Sequence, residues 1–246
     1  MGVMHAFRVL TERLTETVIL RELPRGVNLF ADIRLFLPRF QCDVIFDVGA
    51  NIGQSAQEFV KECPTAIVHC FEPVSSTSRE LQTRFANAAR VNCHRVALGE
   101  TNGIAQMIVE GASDRAHLAR EIEGSRCGDE DVEIVMLDSF CEANKIEHIS
   151  FLKIDTEGAD LDVLLGAEEK LSAQHVDIIQ VEAGMNSHNR VHVPFEQFRV
   201  HFDERSYYLF GIYEQVSEWP TGRPNLRRTN PVFISERIIE ENRLAR

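Results

Sequence analysis

No apolar run in this chain approaches the roughly 20 residues that a membrane-spanning helix needs. The N-terminus also lacks the apolar core and small-residue cleavage site of a secretory signal. Cysteine is sparse and unpatterned. The six, at 42, 63, 70, 93, 127 and 141, include no C-x-x-C, and those at 42, 70 and 93 fall in apolar runs where a thiol packs as a small hydrophobe. A reducing, cytoplasmic setting is expected. Basic charge is short as well: 26 Lys and Arg face 38 Asp and Glu, leaving a net charge of −12. That balance argues against a nucleic-acid partner, because neutralising phosphates needs a concentrated basic surface. No internal repeat or low-complexity tract appears, and the full dinucleotide fingerprint G-x-G-x-x-G is missing.

What is present is enough for one substantial core. The chain has 246 residues, 44% of them apolar, which suits a single main domain over residues 41–246 with a helical appendage over 1–40. In the appendage, Phe7, Leu10, Leu14 and Val18 recur at spacings of three and four between charged residues, the pattern of an amphipathic helix over 3–22. A second short helix is expected over 29–37, before Pro38. The main domain then alternates strands and helices: strands over 43–48, 66–71, 91–98, 149–154 and 176–181, helices over 54–62, 76–89 and 160–171. Such alternation implies a parallel sheet with helices on both faces. A capping box, Thr77-x-x-Glu80, is read at the start of the second of these helices. Further strands are expected over 103–110 and 132–137, with a polar loop over 111–131 between them that could cover a bound cofactor. A helix is expected after Pro194, carrying Phe195, Phe198 and Phe202, and an antiparallel pair over 207–213 and 230–235.

The centre of this arrangement is Val44-Ile-Phe-Asp-Val-Gly-Ala-Asn-Ile-Gly53, an apolar strand that ends in Asp47 and passes into a glycine-punctuated turn before a helix. Gly49 and Gly53 allow close backbone approach, and the free N–H groups of the following helix point at a ligand. After the next apolar run comes Glu72, about twenty residues past the first glycine, where a nucleoside-binding fold places an acid on the ribose hydroxyls. Asn51 stands where a dinucleotide fingerprint has its second glycine, and Gln54 where it has the third, so a pyrophosphate cradle is disfavoured.

In order along the chain, DVGANIGQ, CFEP, ALG, LKIDTEG and VLLGA resemble the motifs of the FkbM-type S-adenosylmethionine-dependent methyltransferases, over roughly residues 42–236. The resemblance implies a Rossmann-like class I methyltransferase fold: a seven-stranded, mostly parallel sheet. It further implies S-adenosyl-L-methionine held by Asp47, Gly49, Asn51, Gly53, Glu72 and Pro73, with Ala97 and its neighbours Asn92, Val96 and Leu98 near the adenine. In such folds an N-terminal preamble packs on the core, sits beside the substrate mouth or makes a homodimer contact. Packing is the expectation here.

Asp155 and Glu182 end two strands expected to be neighbours, on the edge of the sheet where α/β folds bind ligands. Two jobs are open to this pair. By similarity to metal-dependent small-molecule O-methyltransferases it holds a magnesium ion that acidifies an acceptor hydroxyl, or one carboxylate acts as general base, with Asp155 also able to serve the cofactor. His188 is a third candidate base and His192 a weaker one, since imidazole titrates near neutrality. The expected reaction is O-methylation of a small-molecule or glycan acceptor. Arg223, Arg227 and Arg228, with the single tryptophan Trp219, suit a saccharide better than an apolar polyketide. Two competing classes are a nicotinamide-dependent oxidoreductase and a non-catalytic nucleotide-binding protein on the same fold.

Asn51 gives a direct test: S-adenosylhomocysteine should raise the melting temperature and NAD should not. A ligand at a hundred times its dissociation constant stabilises by about 2.7 kcal/mol, and a comparable shift with NAD would overturn the methyltransferase reading.

Overall fold

The structure, a computed structural model, describes residues 23–109, 116–118 and 130–243. The amphipathic helix expected over 3–22 and most of the 111–131 loop lie outside the described residues. Helix α1 (Leu29–Phe36) opens the described chain, with the Asn28 side chain accepting from the Ala31 amide at its start.

The main sheet is built from β1 (Val44–Val48), β2 (Ile67–Phe71), β3 (Val91–His94), β8 (Ile149–Ile154), β9 (Val176–Val181), β10 (Ala183–Gly184), β11 (Tyr207–Glu218) and β12 (Arg223–Ser235). Its order is β10-β12-β9-β8-β1-β2-β3, with β11 on β12. The five strands β3, β2, β1, β8 and β9 run parallel, and β12 returns antiparallel on β9. Eight strands replace the expected seven because the chain breaks at Glu182 and resumes as β10 against the same partner, β12.

Every residue of β8 and β9 is buried, as befits central parallel strands covered on both faces. Alternate residues supply two cores. Phe46, Val48, Leu152, Ile154, Ile179 and Val181 face one side, and Ile45, Phe151, Ile178 and Val232 the other. The first core is covered by α4 (Leu137–Asn144), α5 (Asp160–Leu165), α6 (Glu168–Ser172) and α7 (Phe195–Asp203), with Phe198 and Phe202 fully buried. The second is covered by α1, α2 (Gln54–Glu62), α3 (Ser75–Arg84) and α8 (Glu236–Arg243).

A second sheet, absent from the sequence reading, joins β4 (Ala97–Leu98), β7 (Glu130–Val135), β5 (Gly103–Val109) and β6 (Ala116–Leu118) in that order. The expected strand over 91–98 is therefore two strands in two sheets. Leu137 begins helix α4 instead of closing a strand, and part of the expected 111–131 loop is β6 and the first residues of β7. The Thr77 capping box does not form. Helix α3 begins two residues earlier, at Ser75, and the Ser75 amide donates to the Glu130 carboxylate of β7 at 3.1 and 3.2 Å. A carboxylate brought by another element caps the helix and ties the second sheet to the first.

The helix expected over 160–171 breaks into α5 and α6 at Gly166. A Cβ there would stand 2.0 Å from the Gly99 carbonyl oxygen, and the Asp138 carboxylate caps α6 afresh through the Glu169 and Lys170 amides. Gly166→Ala should lower the unfolding free energy by about 1–3 kcal/mol, the cost of overpacking a close contact. Urea titration checks this, and an unchanged midpoint would show that the Gly99 contact relaxes freely.

Candidate active site

The carboxyl ends of β1, β2, β8 and β9 open into one cavity of about 390 Å³. Its floor is the turn after β1. The Gly49 and Ala50 amides both donate to the Phe71 carbonyl at 3.0 Å, and Asp155 returns an N–H to Val48 at 2.9 Å. Gly49 has φ +79°, and a Cβ on it would lie 1.9 Å from the Asp155 carbonyl oxygen. Only glycine fits at this crossing. Asn51 follows in the left-handed region at φ +49°, its side-chain oxygen accepting from the Ile52 amide at 2.7 Å. Gly49 and Asn51 line the cavity, as expected for ligand contacts.

Glu72 sits at the end of β2 on the cavity wall, 7% exposed. One carboxylate oxygen accepts from the Asn51 amide and the other from the Val74 amide, each at 3.0 Å. Glu72 therefore holds the β1 turn and the start of α3 together, and each oxygen keeps a lone pair for a further donor. Burial pushes its pKa up against these bonds. Pro73, Val96, Ala97 and Leu98 continue this wall, and Met107 of the second sheet closes it.

At the far end the cavity is charged. Lys153, buried in β8, donates to Asp155 at 2.8 Å and lies 4.0 Å from Asp47. Burial alone would raise the Asp155 pKa, but the Lys153 charge and hydrogen bond, with Arg228 beyond, hold it below the ordinary carboxylate range. Asp47 is less well served. It is fully buried, neither oxygen has a hydrogen-bond partner of normal geometry, and burial lifts its pKa from 3.8 to about 6 despite Lys153.

The pairing Ile154↔Val181 sends Asp155 and Glu182 out of neighbouring strands side by side, and both line the cavity. The structure gives them different partners, however. Glu182 is ion-paired on one oxygen with Arg228 of β12, and its other oxygen meets the His192 ring at Nε2, where burial lowers the imidazole pKa. Glu157, at φ +54°, lies on the other side of His192, 3.5 Å from the same ring nitrogen. Burial raises the Glu157 pKa in spite of the imidazole. Glu214 enters from a bulge in β11, also at positive φ, and accepts from the Asn230 amide group at 2.9 Å.

Several sequence-based assignments change. Gly53 is not on the cavity wall: it caps α2 at φ +88°, and a Cβ on it would run into Leu81 and Phe85 of the next helix. Asp47 lies behind the wall, beneath Lys153. His188 is exposed, bonded to Arg223 at 2.6 Å, and outside the cavity, so the loop presents His192 to the carboxylates instead. Asn92 is exposed on β3, away from the cavity. The arginine cluster separates into Arg223 on His188, Arg227 on the buried Glu218, and Arg228 on Glu182. The expected Asp155–Glu182 pair is separated by its partners: Asp155 is bonded to Lys153, whereas Glu182 turns to Arg228 and His192. Trp219 is exposed at the tip of the β11–β12 hairpin. Lys153 and Glu214 went unread in the sequence. A lysine inside the apolar run ISFLKI was a signal for the first, whereas Glu214 depends on a bulge that leaves no mark.

The profile of the methyltransferase FkbM domain matches residues 47–209, well over half of the chain. The chain belongs to the FkbM methyltransferase family. Its sheet and helices form the α/β, Rossmann-like class I methyltransferase fold. Among relatives, the 2-O-methyltransferase NoeI of Sinorhizobium fredii is 27% identical over 143 residues, 52% of this chain and 59% of NoeI. The hexuronic acid methyltransferase AglP of Haloferax volcanii is 28% identical over 156 residues, 63% of this chain and 62% of AglP. The FkbM chain thus spans about three fifths of the length of these relatives. Among solved structures, M. capricolum TrmK with bound S-adenosyl-homocysteine superposes with a TM-score of 0.45 at 10% identity, over 83% of this chain and 67% of TrmK.

The cavity of this FkbM chain fits the family's cofactor, S-adenosylmethionine. The Gly49 crossing leaves room for a close ligand, Glu72 faces inward, and among the described residues the walls carry Glu72, Asp155, Glu157, Glu182 and Glu214 against Lys153 and Arg228. That surplus of negative charge suits a ligand bearing a sulfonium.

Because the folded-state pKa of Asp47 lies above the ordinary 3.8, its ionisation weakens the fold as pH rises from about 4 through 6. Asp47→Asn should therefore make the ligand-free protein more stable at pH 7.5, by on the order of 1–3 kcal/mol. The gain should shrink as pH falls from 6 toward 4, and S-adenosylmethionine should bind more weakly. Urea titrations at the two pH values with calorimetry check both effects, and a variant less stable at both would mean that the carboxylate has a stabilising partner.

Proposed function

We propose that the chain transfers a methyl group from S-adenosylmethionine to a hydroxyl oxygen of a saccharide. The observation that carries this reading is a single cavity with a glycine turn and Glu72 at one end and a rim of Glu157, Glu182 and Arg228 at the other. One end suits the cofactor and the other an acceptor with hydroxyls to bind and a proton to lose.

The bound cofactor supplies an electrophilic methyl group on sulfur. The protein's contribution is alignment and proton removal. Glu72 offers its remaining lone pairs to ribose hydroxyls, while Pro73, Ala97 and Met107 make the apolar slot for the base. Asp155 is held ionised by Lys153, so it is a fixed negative charge facing a cation and not a base waiting for a proton. The groups able to take the acceptor's proton are the carboxylates Glu157 and Glu182 with His192 behind them. A strained backbone at Glu157 fits a functional position, because non-glycine residues at positive φ persist only where the surroundings hold them.

The saccharide assignment draws on two features. NoeI is named as a 2-O-methyltransferase and AglP as a hexuronic acid methyltransferase, and the hairpin that brings Arg228 to the rim carries Trp219 exposed at its tip, where an aromatic face can stack on a sugar ring. A hydroxylated secondary metabolite is the alternative acceptor. An N-terminal homodimer contact and the absence of a nucleic-acid partner belong to the same reading; among the described residues no helix is long and apolar enough to cross a membrane.

Incubation of the full chain with isotopically labelled S-adenosylmethionine and pools of neutral and uronic-acid oligosaccharides should give singly methylated sugars by mass spectrometry. Periodate-resistant linkage analysis should locate the label on oxygen. Label transferred only to a non-sugar hydroxyl would refute the saccharide assignment, and label found on nitrogen or carbon would refute O-methylation.

A further inference from the structure

We propose that Glu157, Glu182 and His192 form a binding site for one first-row divalent metal cation at the acceptor end of the cavity. Its use rests on the transferase reading above, but its existence does not.

The three residues come from separate segments: the turn after β8, the break between β9 and β10, and the loop before α7. One donor atom from each lies within 4.8 Å of the other two. Metal–ligand bonds of about 2.0–2.2 Å allow two donors on one cation to stand up to roughly 4.3 Å apart, so gathering all three requires the widest pair to close slightly and the close His192–Glu182 pair to part. The histidine ring is already oriented. Its Nδ1 faces the Asn189 side chain, with Nδ2 at 2.9 Å and Oδ1 at 3.0 Å, and Nδ2 is anchored in turn to the Arg227 carbonyl at 3.0 Å. With its proton on Nδ1 and donated to Asn189 Oδ1, the ring would turn the Nε2 lone pair to the two carboxylate oxygens and so to a cation between them; with the proton on Nε2 it is donated to Glu182. An outer partner of this kind is what fixes metal-bound histidines.

Two carboxylates and an imidazole converge here, with Glu157 open to solvent at 37% side-chain exposure and the other two buried; a divalent cation would serve all three donors at once, where a single proton serves one pair. The side chains of His192 and Glu182 are 7% and 6% exposed. Arg228 does not fill the gap, because it is bonded to Oε1 of Glu182 while Oε2 faces the cluster. A separate acid adds to the demand. Asp160 is 1% exposed, its Oδ1 has no hydrogen-bond partner, and its charge acts on both Glu157 and His192.

One imidazole and two carboxylates suit manganese, iron or zinc better than calcium or magnesium, which take oxygen ligands. The donor set therefore moves the cation from the expected Asp155–Glu182 magnesium site to a nitrogen-containing one. Glu157 and Glu182 both line the cavity whereas His192 lies behind them. The remaining coordination positions thus open toward the acceptor, where a cation would bind its oxygen and the uncoordinated oxygen of Glu157 would take its proton.

The test is manganese binding by the full chain after chelator treatment and removal of the chelator, read from the loss of the free-ion electron paramagnetic resonance signal. One equivalent should bind. His192→Ala and the near-isosteric Glu157→Gln should each weaken binding by at least about 10-fold, whereas His188→Ala, outside the cluster, should not. Calorimetry with S-adenosylhomocysteine on every variant reports that the fold and cofactor end survive. No manganese uptake by the wild type would overturn the site, and so would uptake unchanged in both His192→Ala and Glu157→Gln. Manganese uptake without S-adenosylhomocysteine binding would leave the metal site standing and overturn the transferase reading instead.

Discussion

The cleft is set by a backbone crossing, where Gly49 passes over the Asp155 carbonyl with no space for a side chain. That contact is possible because β1 and β8 are adjacent parallel strands in register, Asp47 beside Lys153 and Val48 beside Ile154. Parallel pairing puts all the carboxyl ends on one edge, so the glycine turn, Glu72, Asp155 and Glu182 converge although they are spread over more than 130 residues of sequence. A β-carbon at 49 would have to push β1 and β8 apart and would open the floor of the cavity.

Around this crossing the protein buries more negative than positive charge. Lys153 satisfies Asp155 and only partly satisfies Asp47, and the cost appears as the elevated pKa of Asp47. Buried acids without full partners destabilise a fold unless something else is gained. Here the gain is a cavity whose field favours a cation. Three non-glycine residues at positive φ, Asn51, Glu157 and Glu214, line the cavity, while Lys145, Gln174 and Ser206 adopt the same conformation elsewhere.

The second sheet is the less expected part of the architecture. It is tied to the first through Glu130, which caps α3, and it supplies Leu98 and Met107 to the wall. A small mixed sheet thus walls the apolar end, while the β11–β12 hairpin delivers Glu214, Arg228 and Asn230 to the polar end. Two excursions from one parallel core divide the cavity into chemically different halves.

The sequence by itself determined the core. Central strands buried on both faces are continuous apolar runs, so β1, β2, β8 and β9 were legible almost to the residue, and the glycine turn followed by an acid marked the cofactor end. The order of short motifs pointed to the family for the same reason, since each motif is a local strand-to-turn unit. Only the tertiary structure decided the partners. Lys153 pairs with Asp155, Arg228 and His192 with Glu182, and Glu130 with the start of α3, and each of these joins segments whose register and side-chain direction no local pattern encodes. His192 rather than His188 faces the carboxylates because the loop after β10 is pinned by Asn186 and Asn189 to the β12 backbone. Charged side chains are placed by the balance of burial against available counter-charge, and that balance exists only once the strands that carry them have met.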